Sequence, residues 1–174
     1  FSMAQETNKN ARFELWFLNQ GTYFLDNVKM IKVGQEELAE EGTKTEADEN
    51  KVEDWELVWK DEFNGEKVNE DNWTYEVGNG HKQGIPGWGN AELQYYTDGE
   101  NAKIEDGKLV ITAREEQKSD SYGNYDYTST RMITKNKFSQ AYGKFEIRAK
   151  MPEGQGIWPA IWILGADIAE VGWP

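Results

Sequence analysis

The sequence has no cysteine and a single histidine, so neither a disulfide framework nor a cysteine-ligated or histidine-rich metal site can be built from it. Basic residues are scarce, 19 against 32 acidic, for a formal net charge of −13 and with no basic stripe. That balance is wrong for gripping the phosphate backbone of a nucleic acid, so no nucleic-acid partner is expected. No apolar run approaches the roughly 20 residues of a membrane-spanning helix, so no insertion into a bilayer is expected either. Convincing amphipathic helices are missing as well. What the 174 residues do contain is an aromatic load of 8 Trp, 8 Tyr and 7 Phe together with 17 Gly.

The acidic excess is uneven. Residues 1–33 hold three acids and four bases, a charge of +1. Residues 34–54, GQEELAEEGTKTEADENKVED, hold nine acids and two bases, or −7. Residues 55–174 hold 20 acids and 13 bases, again −7. The middle stretch has no aromatic residue and only Leu38 and Val52 as larger aliphatics. It cannot bury enough apolar surface to offset the entropy of ordering it and reads as a charged, extended linker, with a short solvated helix at 35–41 as the alternative.

Upstream of it, Ala11–Leu18 and Thr22–Val33 alternate as two strands around the turn residues Asn19-Gln20-Gly21. Two strands alone are marginal in water, so they are expected to end a sheet that begins further upstream. Downstream the pattern is β throughout. Trp55–Trp59 opens it, Asp61-Glu62-Phe63-Asn64-Gly65 is a turn, and Leu109–Arg114 alternates. In Lys144–Met151, Phe145, Ile147, Ala149 and Met151 face one way; Ile157–Leu164 is apolar on both faces and reads as a strand covered on both sides. Short strands with frequent turns predict an all-β fold, a sandwich of antiparallel sheets.

Seven of the eight tryptophans follow residue 54. Indole rings beside Asn, Gln and Gly suit a flat, polyhydroxylated ligand, although core packing accounts for part of them. The residue order makes this specific. Residues 87–97, GWGNAELQYYT, resemble the GWGN-x-E-x-Q-Y-Y-T segment of glycoside hydrolase family 16, the laminarinase-like endo-β-1,3-glucanases. The likeness continues through ENAKIEDGKLVITARE (100–115), YTSTRMITKNKFSQAYGKFEIRAKMPEGQGIWPAIWILG (127–165) and VGWP (171–174).

The resemblance implies a partial, concanavalin A-like β-jelly-roll sandwich over residues 55–174, with a glycan cleft on its concave face. It implies a secreted, extracellular monomer that cleaves internal β-1,3 or mixed β-1,3/1,4 linkages of a laminarin-like β-glucan with retention. By the family pattern, Asn90 and Arg131 bond sugar hydroxyls near the cleavage point, and Trp173 forms a sugar platform. Trp158 and Trp162 share a strand face at i and i+4, and belong either to the cleft floor or to the core. Arg131 is alternatively a surface ion-pair partner, and Asn90 a turn residue. Glu62 is a candidate ligand for a structural calcium of the family, which wants six to eight oxygens; no cofactor serves the catalysis. His81 is a lone loop histidine without an assigned role. Residues 24–28, FLDNV, are similar to the last strand of galactose-binding-like carbohydrate-binding modules. Residues 1–33 are therefore expected to be the tail of such a module.

The family's catalytic strand reads Glu-x-Asp-x-x-Glu, with the two glutamates about 5–5.5 Å apart in a retaining enzyme. That pattern does not occur in this sequence; the nearest approach, Glu46-Ala47-Asp48-Glu49-Asn50-Lys51, lies in the linker and lacks the last acid. The catalytic carboxylates are expected beyond Pro174, so no catalytic residue is assigned here, and a non-catalytic β-glucan-recognition protein of the same fold is the alternative. The purified chain is expected to release no reducing sugar from laminarin; measurable release would show that its carboxylates suffice.

Overall fold

The computed structural model describes residues 11–18, 21–33, 55–154 and 157–172. The acidic segment 34–54, including the alternative helix at 35–41, lies outside the described residues, as does Trp173.

The described residues form strands β1 (Ala11–Leu18), β2 (Gly21–Val33), β3 (Trp55–Asp61), β4 (Thr74–Tyr75), β5 (Tyr95–Tyr96) and β6 (Ala102–Glu105). They continue with β7 (Lys108–Asp120), β8 (Gly123–Ser129), β9 (Arg131–Ile133), β10 (Lys144–Lys150) and β11 (Trp158–Gly165). One helical turn, α1 (Ile168–Val171), follows, and two short 3-10 turns, His81–Gln83 and Pro86–Gly89, interrupt the long loop between β4 and β5. The fold is all-β, with a jelly-roll-like division into two sheets.

One sheet runs β11-β1-β9-β4; the other runs β10-β2-β7-β8-β5, with β3 also paired to β2 and β6 to β7. Pairing is antiparallel except between β5 and β8. Sequence alone assigns β1 and β2 to the end of an upstream module. Here they hydrogen-bond into both sheets: β1 lies between β9 and β11, and β2 between β10 and the β3–β7 side. Unpaired strand edges are strongly driven to find partners, and this arrangement satisfies edges on both segments.

The core lies between the sheets. Leu25 and Val28 of β2 and Leu109, Ile111 and Ala113 of β7 meet Met132 of β9, with Phe63, Val68 and Trp73 closing one end. Alternation works as the sequence implies on β7, and only in part on β10. There Phe145 and Ile147 pack on the core, while Ala149 and Met151 are exposed. β11 departs further from expectation. Ile161 packs inward, but Trp158 is 71% exposed and Ile163 41%, so this strand is not covered on both faces.

Asp61 ends β3 and anchors the turn after it. Its Oδ1 accepts Phe63 N at 2.9 Å, and Oδ2 accepts Asn72 Nδ2 at 3.0 Å and the Trp73 indole N–H at 2.8 Å. These bonds let Phe63 take a left-handed φ of 53° and let Trp73 be buried with its polar edge satisfied. Asp61→Ala is expected to cost about 1–3 kcal/mol, the usual penalty for stranding a buried donor. Denaturant unfolding of the variant checks this, and an unchanged midpoint would show that the anchor is dispensable.

Candidate functional site

The loop joining β4 to β5 is held by one buried side chain. Asn79 Nδ2 donates to the carbonyls of Glu92 and Gln94, both at 2.9 Å, and its Oδ1 accepts Gly87 N at 2.9 Å. Gly78 and Tyr96 exchange two backbone hydrogen bonds, at 2.8 and 3.1 Å, which closes the base of the loop. Gly80 sits at φ +80°, and a Cβ there would run into the Ile85 carbonyl, with Trp88 N at 3.0 Å. The sequence has glycine at this position because the backbone allows nothing larger.

The loop presents Trp88 from a left-handed backbone, φ 50°. Its indole N–H donates to Gly78 O at 3.2 Å, and the Arg131 guanidinium lies over its ring at 4.3 Å. That is cation–π distance. Arg131, the first residue of β9, is only 6% exposed, and its Nε donates to Glu76 Oε2. The Trp88 ring face and the Glu76 carboxylate thus both hold the guanidinium.

Glu92 joins this cluster from below. It is 7% exposed; Oε1 accepts Asn90 Nδ2 at 3.1 Å, and Oε2 accepts Gln94 Nε2 at 3.0 Å and Tyr96 OH at 2.8 Å. Burial pushes its carboxyl above the ordinary 4.5, against the pull of the hydrogen bonds from Asn90 and Tyr96, the charge of Arg131 and the bond from Gln94. The Tyr96 hydroxyl is raised well above its ordinary value, first by burial and then by the Glu92 charge.

Asn90 and Arg131 are therefore brought together through Trp88 and Glu92. Asn90 is not only a turn residue, since its side chain links Trp88 O and the Glu92 carboxylate. Arg131 is a buried partner of Glu76 rather than a surface one. Strand register extends the face: Arg131 is opposite Trp16 of β1, Trp16 is opposite Ala160 of β11, and Trp158, Ala160 and Trp162 fall on one side by their period of two. Met132 and Ile161, on the other side, pack in the core. Trp158 and Trp162 thus share the outer face of the four-stranded sheet with Arg131.

Glu62 is placed elsewhere, 3.5 Å from Lys29 Nζ and 4.0 Å from Lys60 Nζ. Among the described residues no group of three or more His, Cys, Asp and Glu side chains could hold a metal ion. Sequence reasoning passed over Glu76, Asn79, Glu92, Gln94 and Tyr96. A signal for the last three was present, because Glu92-x-Gln94-x-Tyr96 has the period of two that aligns side chains on one face.

A folded carboxyl with a raised pKa holds its proton more tightly than the unfolded chain does. Its contribution to stability is full below 4.5 and is lost as pH rises through the folded value. The stability of the wild type relative to Glu92→Gln is therefore expected to fall as pH is raised from below 4.5 toward neutrality. Denaturant unfolding across a pH series checks this; parallel curves for the two proteins would contradict it.

Residues 3–173 match the family described as beta-glucan synthesis-associated protein SKN1/KRE6/Sbg1. The chain is 49% identical over 118 residues to a beta-glucanase of Rhodothermus marinus, covering 66% of this chain and 38% of that protein. It is 46% identical over 123 residues to a glucan endo-1,3-beta-glucosidase of Cryptopygus antarcticus, covering 69% and 42%. Against the crystal structure of the laminarinase catalytic domain from Thermotoga maritima it is 63% identical with a TM-score of 0.67, covering 70% of this chain and 48% of that one. The chain thus spans less than half the length of each of these relatives. With a family match that takes in both N-terminal strands and the whole loop cluster, the chain belongs to the beta-glucan synthesis-associated SKN1/KRE6/Sbg1 family and is laminarinase-like, of the glycoside hydrolase family 16 kind.

Proposed function

We propose that this chain supplies the glycan-binding part of a retaining endo-β-1,3-glucanase or mixed β-1,3/1,4-glucanase. The observation that carries the reading is the Arg131 guanidinium, held over Trp88 and against Glu76 on the sheet face it shares with Trp158 and Trp162. A rigid donor fork on the same sheet face as the exposed Trp158 is suited to a sugar: rings stack on its C–H face while nitrogen donors bond its hydroxyls. Asn90 adds an amide at the rim, and Trp173 is assigned a further platform. The hydrolysis itself falls to a carboxylate pair following the family's Glu-x-Asp-x-x-Glu pattern, which needs no catalytic cofactor. A calcium at Glu62 would have to displace two lysine ammonium groups, so Glu62 is a poor anchor for one.

In this reading residues 34–54 are the linker and residues 55–174 begin the glucanase domain, while β1 and β2, similar in sequence to the tail of an upstream carbohydrate-binding module, pair into its two sheets. The whole protein acts outside the cell, as a monomer, on a laminarin-like polysaccharide. The alternative reading is a non-catalytic β-glucan-recognition protein of the same fold, with the same binding residues and no catalytic carboxylates. Reducing-end release by the longest polypeptide containing this sequence separates the two.

Calorimetric titration of the chain with laminari-oligosaccharides tests the binding reading. The wild type is expected to bind, and Trp158→Ala and Asn90→Ala to bind about tenfold more weakly, the loss of roughly one good hydrogen bond or stacking contact. Both residues are exposed, so neither change threatens the core. No binding by the wild type at millimolar oligosaccharide would overturn the proposal.

A further inference from the structure

Asn90 and Glu92 converge because the backbone between them is bent back on itself. Gly87 O accepts both Asn90 N at 2.9 Å and Glu92 N at 3.1 Å, and Ala91 between them takes a left-handed φ of 56°. A residue with a Cβ is seldom found in that region, so the two bonds to one carbonyl hold a conformation the chain would not choose alone. The outcome is an exposed carboxamide standing against a carboxylate that is only 7% exposed.

The hydrogen bonds of this pair decide which way the carboxamide points. Its nitrogen carries two hydrogens, and both are spent inward, on Trp88 O at 3.3 Å and on Glu92 Oε1 at 3.1 Å. A carbonyl and an ionised carboxylate only accept, so the opposite setting, with Oδ1 turned inward, would press oxygen against oxygen in two places. Glu92 is itself held fast. Its Oε2 accepts Gln94 Nε2 at 3.0 Å and Tyr96 OH at 2.8 Å, and Gln94 Nε2 also donates to Tyr96 OH at 2.8 Å. Gln94 and Tyr96 are 2% and 0% exposed, so the carboxylate rests on a buried base.

We infer that Glu92 is a positioning residue that sets the Asn90 carboxamide nitrogen-inward and oxygen-outward, so that position 90 offers the glucan an acceptor and selects a sugar hydroxyl as donor. The inference deepens the glucan-binding reading above and rests on it. It divides the site by polarity: the Arg131 guanidinium can only donate, while Asn90 Oδ1 can only accept. The Glu92→Gln change keeps the shape and reverses that polarity. Gln94 Nε2 and Tyr96 OH both aim hydrogens at the Oε2 position, which holds the oxygen of the new amide there and turns its NH2 toward Asn90. The Asn90 carboxamide then turns over to accept, and its own NH2 faces the ligand.

The 174-residue chain, its Glu92→Gln and Asn90→Ala variants and the double variant are titrated calorimetrically at neutral pH. The ligands are laminaritriose and analogues with one hydroxyl at a time replaced by fluorine, which accepts weakly and cannot donate. The wild type is expected to bind at least one analogue about tenfold more weakly than laminaritriose, a penalty absent in Asn90→Ala. Glu92→Gln is expected to bind laminaritriose within about threefold of the wild type yet to lose the fluorine penalty, and to change nothing when Asn90 is already alanine. A merely supporting carboxylate would instead weaken every ligand and leave the penalty in place; that pattern would overturn the inference. Binding of laminaritriose with no fluorine penalty that depends on Asn90 would also overturn it, while leaving the glucan-binding reading intact. No binding by the wild type at millimolar laminaritriose would overturn that reading and this inference with it.

Discussion

The loop cluster depends on one buried amide. Asn79 uses its carboxamide to join three backbone groups, Gly87 N and the carbonyls of Glu92 and Gln94, which belong to parts of the loop with no regular ladder between them. Gly87 N also reaches the Asn79 backbone carbonyl, but the Glu92 and Gln94 carbonyls would lose the amide that satisfies them, and an unsatisfied buried group costs more than the bond itself contributes. The constraint propagates outward. Fixing Gly87 fixes Trp88, Trp88 supports Arg131, and fixing the Glu92 backbone places its carboxylate under Asn90, Gln94 and Tyr96.

The same accounting explains why so many polar residues are buried near β5, β8 and β9. Asn101 repeats the device. Its Nδ2 donates to Thr112 O at 2.7 Å and Thr128 Oγ1 at 2.9 Å, while its Oδ1 accepts Thr97 Oγ1 at 2.7 Å. The core proper is apolar and lies between the sheets; a second, polar interior lies under the loops. A cleft lined with hydrogen-bonding side chains needs such a layer behind it, because an apolar backing would leave loop backbone groups unpaired.

Much of this was legible in the sequence, and what was not has identifiable causes. Alternating runs declared themselves: Leu109–Arg114 and Lys144–Met151 carry a period of two in the sequence. The two-residue strands Thr74–Tyr75 and Tyr95–Tyr96 are too short to show any period and exist because neighbouring strands recruit them. On β11 continuous apolarity was misleading, because exposed indole on an outer sheet face and buried indole in a core look identical in one dimension. Asn90 and Arg131 were visible through motif resemblance. Their supports, Glu76 and Asn79, were not, since they lie outside the GWGN segment and act only through tertiary contact.

The stacking of Arg131 on Trp88 has a thermodynamic corollary. A long cationic side chain normally forfeits rotamer freedom when it grips a ligand, up to about 2 kcal/mol for arginine. Here that freedom is already surrendered within the fold, to the indole face on one side and the Glu76 carboxylate on another. In the proposed glycan site the guanidinium would act as a rigid element, so that discrimination among ligands would come from shape at the rim and not from adjustment of the arginine.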